Sequence, residues 1–191
     1  KKLISINTIL RREVLDAYTN CTNNIFCILG GGTVNVGSSF LESTIRTAKL
    51  CIGASEYLNE YTIHIVCSSK NIYDALNKLK HKENIILHDR ILDTQEYYSK
   101  ARLIITRSGR NTLSELAYLG IPALSFLSGC QYRRLEQQQN MEALATYNIK
   151  PVSLDIKPNK FAELIKETAS INYQREVFIP GNHQAIQEIL N

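Results

Sequence analysis

The amino-acid sequence predicts an α/β fold, a doubly wound, Rossmann-like parallel sheet with helices on both faces. Three observations carry that prediction. Short apolar runs alternate along the chain with segments whose apolar residues recur at spacings of three and four. The alternation persists over most of the length, which implies βαβ units and a parallel sheet covered on both sides. A chain of 191 residues is one domain at roughly 100–200 residues per domain, and needs no staples to hold its core.

Taken in order, residues 1–20 have no periodic pattern before Arg11-Arg12-Glu13-Val14-Leu15 and read as an interdomain linker ending in a short helical turn. Residues 21–170 carry the alternation and form the domain proper. The first strand is the run 25–29 (IFCIL), stopped by Gly30-Gly31-Gly32. Ser39 with Glu42 three residues later is a capping-box signature for a helix through Phe40, Leu41, Ile45 and Ala48. Strand 61–67 (YTIHIVC) precedes a helix marked by Ile72, Leu76 and Leu79, and strand 84–88 (NIILH) precedes a short helix over 94–101. Strand 103–106 leads to helix 111–119, with Leu113, Leu116, Ala117 and Gly120 on one face. Then come strand 122–127, helix 135–147, strand 150–154 and helix 159–169; residues 171–191 are a C-terminal tail with a helix over 183–190.

Composition narrows the function classes. With 44% hydrophobic and 21% charged residues, disordered and fibrous readings are excluded. The apolar runs are too short to span a bilayer, and neither a membrane span nor a signal peptide is expected from them. A net charge of +4 suits an anionic ligand or a membrane surface but lacks the clustered basic stripes of a nucleic-acid binder. Five scattered cysteines with no C-x-x-C pair support neither a zinc site nor a disulfide framework, so the expected location is a reducing cytoplasm. Cys27 and Cys67, inside apolar runs, read as small buried hydrophobes.

In a doubly wound sheet, ligands bind beyond the carboxyl ends of the strands, so the turns there carry the chemistry. After the first strand, residues 30–38 (GGGTVNVGS) let backbone N–H groups approach an anion ahead of a helix N-terminus, or make no more than a tight turn. A Walker A loop fails because Ser38 stands where its lysine is required; a dinucleotide loop fails on glycine spacing and on the missing carboxylate after Cys67. After the fourth strand, 106–115 (TRSGRNTLSE) feeds a second helix start, where Ser108 and Thr112 offer hydroxyls beside free first-turn N–H groups. Glu115 is either a capping-box partner of Thr112 or a carboxylate able to accept both hydroxyls of a ribose. In 131–140 (QYRRLEQQQN) the first helical turns are polar, while core-type residues begin at Met141, Leu144 and Ala145; those turns either project into the crevice or are simply solvated.

Together, residues 29–33 (LGGGT), Arg107-Ser108-Gly109 through Thr112 to Glu115, 117–123 (AYLGIPA) and Glu136-Gln137 to Asn140 resemble the nucleotide-sugar-binding C-terminal domain of GT-B glycosyltransferases. The match is to family 28, the family of the peptidoglycan enzyme that transfers N-acetylglucosamine from UDP-GlcNAc to a lipid-linked acceptor. It runs in order from about Arg11 to Ala169, and implies one half of a GT-B fold. The resemblance implies that Gly31, Gly32 and Thr33 face the diphosphate, met from the other side by Ser108, Gly109, Arg110, Asn111 and Thr112, with Arg11 at a linker-arginine position. It assigns Glu115 to the ribose, Ile91 to the base, and Glu136, Gln137 and Asn140 to the sugar. It also implies an inverting, metal-independent transferase with no cofactor beyond the UDP-sugar substrate. The catalytic base and acceptor site would belong to an N-terminal acceptor-binding domain or subunit, which would bring peripheral association with the inner face of the membrane, so this chain alone would be inactive. Competing expectations on the same scaffold are a UDP-sugar hydrolase or epimerase half, and a stand-alone donor-binding subunit.

Overall fold

A computed structural model describes residues 4–20, 22–29, 38–67, 69–89, 93–127, 131–173 and 178–190, the side chains of 38–40, 94 and 131–133 excepted. Gly31, Gly32, Thr33 and Ile91 therefore lie outside the described residues, as does the side chain of Ser39.

The elements run α1 (Arg12–Leu15), β1 (Asn24–Ile28), α2 (Ser38–Ser55), β2 (Thr62–Val66), α3 (Lys70–Asn77), β3 (Ile85–His88), α4 (Thr94–Tyr98), β4 (Ala101–Arg107), α5 (Arg110–Leu119), β5 (Ala123–Phe126), α6 (Gln131–Ala143), β6 (Ile149–Val152), α7 (Pro158–Ala169) and α8 (Asn182–Leu190). All strand pairs are parallel and the order is β3-β2-β1-β4-β5-β6. Successive strands thus step outward from β1 in one direction and from β4 in the other. Right-handed crossovers then put helices on opposite faces of the two halves, and the topological switch point falls between β1 and β4.

The central strands are apolar on both faces, as a doubly covered parallel sheet requires. Ile25 and Cys27 of β1, with Leu103 and Ile105 of β4, join a core that includes residues of α2, α3 and α7. Phe26 and Ile104, one residue out of phase, join a second core built with α1, α5 and Tyr98 of α4. Phe126 of β5 meets Phe161 of α7 edge-on at 5.5 Å between ring centroids, so the first core extends under the far half of the sheet. Cys27, Cys51 and Cys67 are free and buried. A hydrogen bond with Cys51 and then burial hold the Cys27 thiol far above its usual range, so it packs as an apolar group.

Two boundaries depart from the sequence pattern. Ala101 belongs to β4 rather than to the preceding helix, because it pairs with Asn24 of β1. Helix α6 spans Gln131–Ala143 rather than 135–147; Ala145 is exposed, while Met141 and Leu144 are buried as expected. Helix α5 stops at Gly120, whose φ of 69° places it in the left-handed region. Gly120 N–H donates to Ala117 O and Ile121 N–H to Leu116 O, closing the last carbonyls before Pro122.

The first and last described segments run side by side. Gly181 N–H donates to Thr8 O at 3.0 Å, and Asn7 Nδ2 to Ile179 O at 2.9 Å. Asn182 takes both polar groups of one backbone unit: its Oδ1 accepts from Leu10 N–H at 2.9 Å and its Nδ2 donates to Leu10 O at 2.8 Å. Leu10, Val14 and Ala17 are buried in the second core, so this stretch is packed on the domain. Among the described residues, no helix is long and apolar enough to cross a membrane.

Candidate functional site

Strand β4 ends at Arg107, and α5 begins at Arg110, with two residues between them. Gly109 is its N-cap residue, with φ −77° and ψ 130°, so no left-handed backbone calls for glycine there. Among the described residues, no atom beyond its chain neighbours lies within 4 Å of the place a Cβ would occupy. A glycine demanded neither by φ nor by a neighbouring atom fits a backbone that a ligand approaches closely. Beyond it, the N–H groups of Arg110, Asn111 and Thr112 lack intrahelical acceptors by α-helix geometry and carry the positive end of the helix dipole. The side chains of Arg110 and Asn111 are exposed, and that of Thr112 is half-buried.

Ser108 is placed differently from a hydroxyl that faces an anion. It is fully buried, with its Oγ 2.8 Å from Ser125 Oγ, within hydrogen-bonding reach of Phe126 O at 3.2 Å, and against Met141 Sδ. Its N–H also donates to Phe126 O. The side chain thus moors the β4–α5 turn to β5 and α6, and only the neighbouring backbone is available to a ligand. Asn140 completes the mooring by donating Nδ2 to Ser108 O at 3.3 Å. With Arg110, Ser114, Gln139 and Tyr147, Asn140 also lines a cavity of about 520 Å³ that Thr8 helps to close.

Glu115 lies on α5 but is 4% exposed, and its carboxylate accepts three hydrogen bonds. Arg11 Nε donates to Oε1 at 2.8 Å and Arg11 Nη2 to Oε2 at 3.0 Å, a two-pronged pair. Tyr98 donates its hydroxyl to Oε2 at 2.6 Å. The capping-box alternative is overturned: both oxygens point to α1 and α4, away from the N-terminal N–H groups of α5. The hydrogen bonds that Arg11 donates to Glu115 raise the Arg11 pKa, against the opposing effect of burial. Burial, then Tyr97 and Glu115, pushes the Tyr98 phenol well above its usual range, so it stays protonated as a donor. The Arg11 side chain remains 54% exposed, so the pair has one wet and one dry partner.

Of the residues assigned from the sequence, the structure thus brings together Arg11 with Glu115, and Ser108 with Asn140, around the start of α5. Glu136 is exposed and Gln137 half-buried on α6. Tyr98 escaped sequence reasoning. It sits in the Tyr97-Tyr98 pair, and a buried tyrosine needs a partner for its hydroxyl, but nothing in the sequence pointed to Glu115.

A second polar cluster lies on the β2–β3 side of the sheet. His64 Nδ1 is 2.9 Å from His88 Nε2, and His64 Nε2 is 3.3 Å from Asn24 Oδ1. Because Asn24 Oδ1 only accepts, this network assigns the His64 proton to Nε2 and leaves Nδ1 to accept from His88. Burial, with His88 and Lys100 nearby, lowers the His64 pKa to about 4. Among the described residues, no group of three or more His, Cys, Asp or Glu could hold a metal ion.

Fold and site together define a doubly wound α/β domain in which a helix start lies beyond the end of a central strand. More particularly, the chain belongs to the glycosyltransferase family 28 C-terminal domain, which it matches over residues 26–183. It is 27% identical over 122 residues to the UDP-N-acetylglucosamine–N-acetylmuramyl-(pentapeptide) pyrophosphoryl-undecaprenol N-acetylglucosamine transferase of Thermosipho africanus, covering 59% of this chain and 36% of the relative. To the transferase of the same name from Caldanaerobacter subterraneus subsp. tengcongensis it is 29% identical over 129 residues, covering 61% and 35%. The chain thus spans about a third of these relatives. Its fold matches the crystal structure of Acinetobacter baumannii MurG with a TM-score of 0.64 at 21% identity, covering 96% of this chain and 55% of that one. It also matches the glycotransferase of kitacinnamycin, with a TM-score of 0.60 at 14% identity, covering 85% and 39%.

Proposed function

We propose that this domain binds the nucleotide-sugar donor of an inverting, metal-independent transferase, and that the donor is a UDP-sugar, UDP-GlcNAc first among them. The observation that carries the reading is the β4–α5 turn. An open-faced Gly109 and the N-terminal N–H groups of α5, which have no intrahelical acceptor, stand on the same helix as a buried carboxylate, Glu115. That combination suits a diphosphate at the helix start and a vicinal diol further along, since each carboxylate oxygen accepts one O–H.

Gly31, Gly32 and Thr33 would meet the diphosphate from the opposite side, Ile91 the base, and Glu136, Gln137 and Asn140 the sugar. As the acceptor hydroxyl attacks the anomeric carbon, the bond to the diphosphate breaks and negative charge grows on the departing UDP. Backbone donors at the helix start stabilise that charge at the point where it develops. The base that takes the acceptor's proton, and the acceptor site, belong in this reading to a separate N-terminal half. That half would also supply any contact with the membrane surface.

Isothermal calorimetry tests the reading. UDP and UDP-GlcNAc should bind with no added metal, and Glu115→Ala should weaken UDP by about 1–3 kcal/mol, the cost of leaving buried hydroxyls unpaired. Equal UDP affinity in the variant would remove the ribose assignment; preference for ATP or NAD over UDP would remove the reading altogether.

A further inference from the structure

Resting on the UDP-sugar reading, the geometry points to Arg11 as a side-chain plug in the ribose subsite: its guanidinium occupies the Glu115 oxygens that a ribose diol requires, and nucleotide must displace it. Arg11 reaches both oxygens, at 2.8 and 3.0 Å. Tyr98 adds a third hydrogen bond, to Oε2. A carboxylate offers about four lone-pair directions, so three are taken and two diol hydroxyls cannot both be seated. One of the three donors has to leave.

The partners differ in how readily they leave. Tyr98 is wholly buried among α4 and α5 side chains and cannot withdraw without opening the second core. Arg11 is 54% exposed on a long flexible stem, and a guanidinium that swings away is met by water. Tyr98 is therefore the permanent positioning residue of Glu115, fixing the carboxylate, and Arg11 the exchangeable one. The plug keeps the buried carboxylate paired in the empty protein, where a lone charge would be costly. It also links nucleotide occupancy to the stretch that carries it, since Arg11 immediately precedes α1 and adjoins Leu10, which is clasped by Asn182. Once released, the guanidinium is free to meet the diphosphate.

Uridine separates the two roles, because it has the diol and no phosphate. In Arg11→Ala, uridine should bind roughly tenfold more tightly than in wild type, the equivalent of about 1.4 kcal/mol. UDP should gain less than uridine, because it also loses a cation. In wild type, the Arg11 Nε–H resonance should be protected from exchange in the free protein and lose protection on saturation with uridine. That measurement needs no variant and so survives a poorly folded Arg11→Ala. Unchanged or weaker uridine binding in Arg11→Ala, or an Nε–H whose protection uridine does not alter, overturns the plug while UDP binding by wild type leaves the nucleotide reading standing. If wild type binds neither UDP nor uridine, the nucleotide reading falls and the plug with it.

Discussion

Replacing Tyr98 with Phe isolates a single hydrogen bond. The ring is fully buried, and Phe fills the same volume without the hydroxyl, so packing around α4 and α5 is kept. What is lost is the 2.6 Å bond to Glu115 Oε2. Hydrogen bonds to charged groups contribute about 1.5–3 kcal/mol, more when removal orphans the buried partner. Glu115 is not orphaned, because Arg11 still grips both oxygens, so the lower part of the range applies, about 1.5–2 kcal/mol. For a domain of this size, each kcal/mol moves the melting temperature by about 2–4 °C, a drop of about 3–8 °C in all. Urea denaturation followed by circular dichroism should show a lower midpoint with an unchanged slope. In an Arg11→Ala background the same change should cost more, since the carboxylate then loses every described partner. A Tyr98→Phe effect below about 0.5 kcal/mol would refute the buried tyrosine–glutamate bond, and with it the division between a fixed and an exchangeable partner.

Gly109→Ala places its Cβ in open space at an ordinary φ, so thermal stability should stay within about 0.5 kcal/mol, while UDP affinity measured by calorimetry drops severalfold; a stability loss with unchanged affinity would contradict the open-turn argument. His64, held neutral by burial down to a pKa of about 4 against an ordinary 6.5, makes stability fall as pH is lowered through that window. The unfolded chain takes up the proton first, and the loss levels off below the folded value. Because His64 is partly open to solvent, screening limits the loss to about 1 kcal/mol, and a His64→Asn variant should flatten the profile between pH 6.5 and 4. Gly181→Ala would drive a Cβ to 2.2 Å from Asn7 O, a backbone atom. Faster hydrogen exchange at Leu10 and Gly181, with the sheet amides unchanged, is the expected result.

The periodicities that organise the sheet were readable from the chain because burial imposes them. Residues 25–27 had to be apolar without interruption, since β1 is covered on both faces. The glycine-containing turn at Gly109 was likewise visible, whereas Gly120, read as part of a helix face, ends α5 through a left-handed φ that the sequence pattern does not show. Boundaries were less legible where pairing, rather than propensity, decides them, as with Ala101, drawn into β4 by Asn24. At the site, residue types were visible but their partners were not. Ser108 carried a hydroxyl in a suggestive turn, yet its direction depends on Ser125 and Phe126, seventeen and eighteen residues away. The pairing of Glu115 with Arg11 spans 104 residues, a distance over which sequence pattern carries no information.

The clasp between residues 7–10 and 179–182 has a consequence for how this unit combines with others. Because the polypeptide arrives and departs along adjacent, hydrogen-bonded lines, the domain is wired like a plug-in cassette. Tension applied across both ends would load Asn182 and Gly181 before it reached any β-ladder.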